Sequence, residues 1–229
     1  MSYSSNITAI EELASSEGGI FTSGQAARVG IPRYALSHAA KSGRIERMRH
    51  GAYRLSSIPS TALDDLVAAY KLTSPDRLIH ERMGAGFDGV AACGATAAHV
   101  LGIGDLEPEP WQIAVPRRFN SRMDGARFRV MDLGRDDVVW TEGGFPVTRA
   151  ERTIADLARE ATEESLLADV LADAIRRYGA TELDMRRLRA LLGDGRLRSL
   201  LSAAGAYEGG PRELVEIDGL GHAALIERS

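Results

Sequence analysis

The residues best suited to chemistry in this 229-residue chain are cations near its amino end. Residues 28–54 carry Arg28, Arg33, Lys41, Arg44, Arg47, Arg49 and Arg54, against one acid, Glu46. Such a cluster suits the phosphates of a nucleic acid, whose condensed counterions it displaces. The whole chain has a formal net charge of -4, so the charge is uneven. Residues 1–60 are net +3 and the remainder is net -7, a basic head on an acidic body.

Other chemistry is thinner. The histidines at 38, 50, 80, 99 and 222 have no metal-ligand spacing to one another. Cys93 is the only cysteine, which excludes an internal disulfide and a four-cysteine zinc site. Flanked by alanine and glycine, it reads as a small buried residue rather than a nucleophile. His99, among alanines, reads as a core or interface histidine. The run Gly84-Ala-Gly-Phe-Asp-Gly89 has the spacing of a dinucleotide-binding fingerprint. It follows a helix pattern instead of a strand, so it reads as a loop. Glu213, Glu216 and Asp218 form an acidic tail like the acidic strand of a restriction-type nuclease. Such sites usually add a lysine, and the only lysines are Lys41 and Lys71. We expect no catalytic site, no metal and no cofactor.

The elements that position the cations are legible. Residues 7–17 place Ile7, Ile10, Leu13 and Ala14 on one helical face, ended by Gly18-Gly19. Thr22 is a candidate N-cap for a helix over 23–29 that stops at Gly30. Pro32 suits the first position of a third helix over 32–42. Leu36, Ala39 and Ala40 share its inner face. Tyr34, Ser37, His38 and Lys41 lie opposite, with Arg33 at the flank, as a major-groove reading helix requires. Residues 44–55 then form a basic hairpin turned at Gly51, the wing of a winged helix-turn-helix. Its Arg47, Arg49 and His50 would reach phosphates or the minor groove. The expected DNA-binding set is Gln25, Arg33, Tyr34, Ser37, His38, Lys41, Arg44, Arg47, Arg49 and His50.

Residues 56–60 read as a linker, giving expected domains of 1–58 and 59–229. In the second, residues 61–73 pattern as an amphipathic helix started by Thr61 and Asp64. A helix follows around 76–83, then a short strand at 90–93 and a small-residue helix over 95–101. Strands follow at 111–115, 128–133, 138–141 and 145–147. Helices follow over 150–161, 164–178, 182–192 and 197–204. The fold class is therefore α+β, strands grouped and then helices grouped. The tail at 213–218 adds a strand or lies loose. A second basic stretch holds Arg117, Arg118, Arg122, Arg127 and Arg129 with one acid, Asp124. It is either a contact for flanking DNA, RNA or an acidic partner, or a solvated hairpin.

Two blocks resemble the AbiEi family, the antitoxin side of type IV toxin–antitoxin pairs. One is residues 18–55, ending in RHGAYRL; the other is residues 92–118 followed by FPVTRAERTIADLA. The resemblance is read to about Ala180. It implies an N-terminal domain that binds inverted repeats in its own promoter and represses transcription. It further implies a C-terminal domain that counters a nucleotidyltransferase-like toxin, with no direct complex assumed. A protein-interaction module and a degenerate nuclease with a DNA-targeting head are the alternatives. No apolar stretch reaches the roughly 18 residues of a membrane span, and no secretory leader is visible in the first residues. A cytoplasmic protein is expected.

Overall fold

The computed structural model describes residues 3–120, 123–160, 162–207, 212–216 and 223–227. The chain divides into two compact units: residues 1–91, 114–135 and 140–146, and residues 92–113, 136–139 and 147–229.

The first unit opens with α1 (Tyr3–Ser16), β1 (Ile20–Thr22), α2 (Ser23–Arg28) and α3 (Arg33–Lys41). The hairpin β2 (Ile45–Arg49) and β3 (Ala52–Leu55) follows. These strands form an antiparallel sheet in the order β1-β3-β2, with Phe21 opposite Tyr53 and Glu46 opposite Arg54. A bulge lies between Arg47 and Arg49, in the strand that carries the wing's cations. The core gathers Ile10, Leu13 and Ala14 of α1, Ala26 of α2, Leu36 and Ala39 of α3, and Ile45 of β2. Those of α1 and α3 are the apolar positions that helical periodicity selects. Burial of Leu36 alone is worth roughly 2 kcal/mol.

The α2 start is a complete capping box. The Gln25 amide donates to Thr22 Oγ1 at 3.1 Å, and the Thr22 amide donates to Gln25 Oε1 at 2.8 Å. Gly30, at φ 82°, makes the turn into α3 in a conformation that L side chains avoid. Pro32 stands one place earlier than expected. It is the N-cap of α3, with extended backbone (φ -76°, ψ 152°), and Arg33 is the first helical residue.

The unit continues past residue 58 into α4 (Asp64–Leu72) and α5 (Ile79–Gly84). One expectation fails here. Thr61 does not cap α4: its hydroxyl donates to Asp64 Oδ1 at 2.7 Å, and Leu63 holds the N-cap position. The buried side of α4 is broad. Leu66, Ala68, Ala69, Tyr70 and even Lys71 are buried, because α4 packs on the winged-helix sheet. Arg82 of α5 is 2% exposed and stacks 3.7 Å over the Tyr70 ring. Gly84 ends α5, and residues 85–89 form a loop, as expected for most of this run.

A five-stranded sheet follows the order β6-β5-β4-β8-β7. Its strands are β4 (Ala91–Ala92), β5 (Trp111–Val115), β6 (Ala126–Val130), β7 (Val138–Trp140) and β8 (Pro146–Thr148). β4 and β8 run parallel, with Ala92 opposite Val147. The second unit also holds α6 (Gly94–Leu101), α7 (Ala150–Arg159), α8 (Glu164–Glu182), α9 (Met185–Leu192) and α10 (Asp194–Tyr207). Strands grouped before helices is the α+β plan that the sequence indicated. β9 (Arg212–Glu216) pairs antiparallel with β10 (Ala223–Glu227), a strand the sequence reading did not anticipate. Asp218 and His222 lie outside the described residues.

Candidate nucleic-acid interface

Burial of Ala35, Leu36 and Ala39 fixes which side of α3 meets solvent. The opposite side presents Arg33, Tyr34, Ser37, His38 and Lys41, all exposed, with Tyr34 at 65%. Lys41 and His38 fall in the last turn, where cations are favoured by the helix dipole. One face thus carries hydroxyls, an imidazole, a ring and two cations, the donors and apolar edges that base and phosphate contacts use.

The wing is set by its hairpin and by the Phe21 ring stacked on Tyr53, centroids 5.8 Å apart. Arg47 and His50 are exposed at its tip, with Arg47 Nη2 3.0 Å from His50 Nδ1. A guanidinium only donates, so Nδ1 is the acceptor in this contact. Arg44 lies 3.6 Å from Glu11, an exposed pair that solvent largely screens.

Two members of the expected set are placed otherwise. Gln25 is 1% exposed and is not a surface residue. Its Nε2 donates to Glu17 Oε2 at 2.6 Å and to the Arg77 carbonyl at 2.8 Å, and its Oε1 completes the capping box. Every polar atom of the side chain is consumed in holding α2, which leaves nothing for a base. Arg49 is only 17% exposed. Its Nη2 donates to Asp65 Oδ1 at 2.7 Å and its Nη1 to the Asp124 carbonyl at 3.3 Å.

Arg54 is held in the same manner, with Nη2 2.6 Å from Glu46 Oε2, Nη1 2.7 Å from the Ile58 carbonyl and Nε 3.6 Å from Asp64 Oδ2. Asp64 and Asp65, the two acids opening α4, therefore collect arginines from both wing strands. The sequence reading placed Asp64 only at a helix start and did not single out Asp65. Two adjacent acids soon after a basic hairpin were the available signal.

The end of α1 and the α2 helix are braced by the segment that follows the wing. Glu17 is buried, and its Oε2 accepts from Lys71 Nζ at 2.6 Å while its Oε1 accepts from the Ile79 amide at 3.0 Å. Burial pushes the Lys71 ammonium below its ordinary range, and the Glu17 carboxylate opposes that shift. Thr22 Oγ1 donates to the Pro75 carbonyl, and a Cβ at Gly24 would run into that same carbonyl. Arg28 grips Glu81 with two bonds of 2.5 Å. The Arg28 guanidinium, helped by the Leu78 amide, draws the Glu81 carboxyl from 4.5 down to about 2.

In the second basic stretch, Arg117, Arg118 and Arg127 are exposed and Arg129 is half-buried; Arg122 lies outside the described residues. The rings of Phe119 and Phe128 meet at 4.6 Å between its strands. In the second unit, arginines and acids pair with one another. Arg152 bridges Asp137 at 3.1 Å and Asp156 at 2.8 Å, and Arg187 reaches Asp137 at 2.7 Å. Among the described residues no group of three His, Cys, Asp or Glu side chains is placed to hold a metal ion. None of the described helices is long and apolar enough to cross a membrane.

A three-helix head with a two-stranded basic wing, followed by an α+β unit, defines a DNA-binding regulator of the winged helix-turn-helix class. The chain belongs to the AbiEi antitoxin family. Residues 90–205, half of the chain, match the model of the AbiEi antitoxin C-terminal domain, and residues 9–56 match that of a transcriptional regulator, AbiEi antitoxin. The family match thus runs beyond Ala180, where the resemblance read from the sequence stopped. No curated protein matches the chain. Among solved structures it is similar to the RV2827C protein from Mycobacterium tuberculosis. That similarity has 17% identity and a TM-score of 0.48, covering 90% of this chain and 75% of that one.

Proposed function

We propose that this chain is a cytoplasmic autorepressor and antitoxin rather than an enzyme. In this reading α3 enters the major groove of inverted repeats in its own promoter, and the wing follows the adjoining backbone. The C-terminal domain counters a nucleotidyltransferase-like toxin, without requiring a stable complex. The observation that carries the reading is the outward face of α3. Its Arg33, Tyr34, Ser37, His38 and Lys41 are all exposed while Ala35, Leu36 and Ala39 of the same helix are buried. A surface of that composition suits contact with a nucleic acid.

The contacts proposed for DNA are Arg33, Tyr34, Ser37, His38, Lys41, Arg44, Arg47 and His50. The exposed Arg117, Arg118 and Arg127 add cationic surface for DNA flanking the half-site.

Binding of the full chain to a duplex from its own upstream region tests this. Affinity should fall steeply as salt rises, and Lys41→Ala should flatten that slope by about 0.9. His38→Ala should relax discrimination between this duplex and one of shuffled sequence. Absence of binding at low ionic strength would refute the regulator reading. Metal-dependent cleavage of plasmid DNA by the chain would favour a nuclease instead.

A further inference from the structure

The seven cations between Arg28 and Arg54 are not equivalent. Arg49 has Nη2 on the Asp65 carboxylate at 2.7 Å and Nη1 on the Asp124 carbonyl at 3.3 Å. Its Nε is buried without a hydrogen-bond partner among the described residues. Its side chain is 17% exposed, whereas Asp65 is 58% exposed. The carboxylate therefore reaches in from the surface to an arginine that is mostly covered. On the other wing strand Arg54 is 15% exposed and faces Asp64. Consecutive carboxylates in the first turn of α4, where the helix dipole favours them, meet the wing from one side.

We propose that Arg49 is a positioning residue. Together with Asp65 it fastens the wing to α4, and it makes no phosphate contact itself. This deepens the DNA-binding reading and rests on it. An arginine already neutralised by a carboxylate adds no net charge to the interface, so trading that carboxylate for a phosphate releases no additional counterion. The trade would also give up the Asp124 carbonyl. Arg47, exposed and 3.0 Å from His50 Nδ1, faces no carboxylate among the described residues and keeps its charge for the duplex. Arg49 also cannot be replaced by lysine. A guanidinium spans two acceptors in a planar fork, and an ammonium does not.

The test measures affinity of the full chain for a mixed-sequence duplex across a salt series. Arg47→Ala should flatten the plot of log affinity against log salt by about 0.9. Arg49→Ala should instead lower affinity about tenfold, the loss of one charge-assisted hydrogen bond, along a line parallel to wild type. Arg49→Lys should remain as weak as Arg49→Ala although it keeps the charge. Asp65→Ala should weaken binding, and adding it to Arg49→Ala should change nothing further. A flattened slope for Arg49→Ala, full rescue by Arg49→Lys, or tighter binding by Asp65→Ala would each overturn the proposal. If wild type itself fails to bind at low salt, the DNA reading falls first and this inference falls with it.

Discussion

Lys71 Nζ lies 2.6 Å from Glu17 Oε2 and 2.8 Å from the Glu17 carbonyl, with both side chains almost wholly out of water. The pair joins the end of α1 to α4. Through the same carboxylate it also reaches Gln25 of α2 and the amide of Ile79. A helix-turn-helix is thereby tied to the segment that follows its wing.

Removing one partner should be costly. Lys71→Met leaves the Glu17 charge buried, and a loss of about 3 kcal/mol in urea unfolding is expected. Combining it with Glu17→Leu should not restore wild-type stability. The Ile79 amide and one of the two Gln25 Nε2 hydrogens would then lack an acceptor, at about 1 to 3 kcal/mol for each donor left unpaired. Recovery in the double variant would mean that the pair alone matters.

The same contacts set where the head can be cut. A fragment of residues 1–60 lacks Lys71, Pro75, Ile79 and Glu81, which brace α1 and α2. A fragment of residues 1–90 keeps them. Thermal melts followed by circular dichroism should show a cooperative transition at clearly higher temperature for the longer piece. Equal melting temperatures would show that α4 and α5 contribute nothing to the head.

Tyr34 separates binding from folding. At 65% exposure its replacement by alanine should change stability by no more than about 0.5 kcal/mol. The proposed groove contact would be lost, so operator affinity should drop severalfold with the melting temperature unchanged. A stability loss comparable to a core substitution would place Tyr34 in the fold instead.

Glu81 provides a pH signature. Its carboxyl is drawn from 4.5 to about 2 chiefly by Arg28. A carboxyl whose folded value is depressed stabilises the fold above its unfolded value, and that contribution fades as pH falls from about 4.5 towards about 2. In Arg28→Ala the Glu81 titration, followed by carbon NMR, should move back up towards 4.5. An unmoved titration would assign the depression to the Leu78 amide alone.

Local pattern settled much of this protein. Thr22 and Gln25 stand at capping-box spacing, glycines end α2 and α3, and Leu36 and Ala39 recur at the helical period. The outer face of α3 was therefore visible in the order of residues, because each of these signals acts over a few positions of chain. The fate of the charges was not. Asp65 lies 16 residues from Arg49 and Lys71 lies 54 from Glu17, distances at which no periodicity operates. Composition counts Arg49 and Arg47 alike and treats Lys71 as a surface residue. Only the packing of α4 against the sheet decides which cation is neutralised, which is buried and which is left for a duplex, because Coulomb attraction and desolvation depend on neighbours in space.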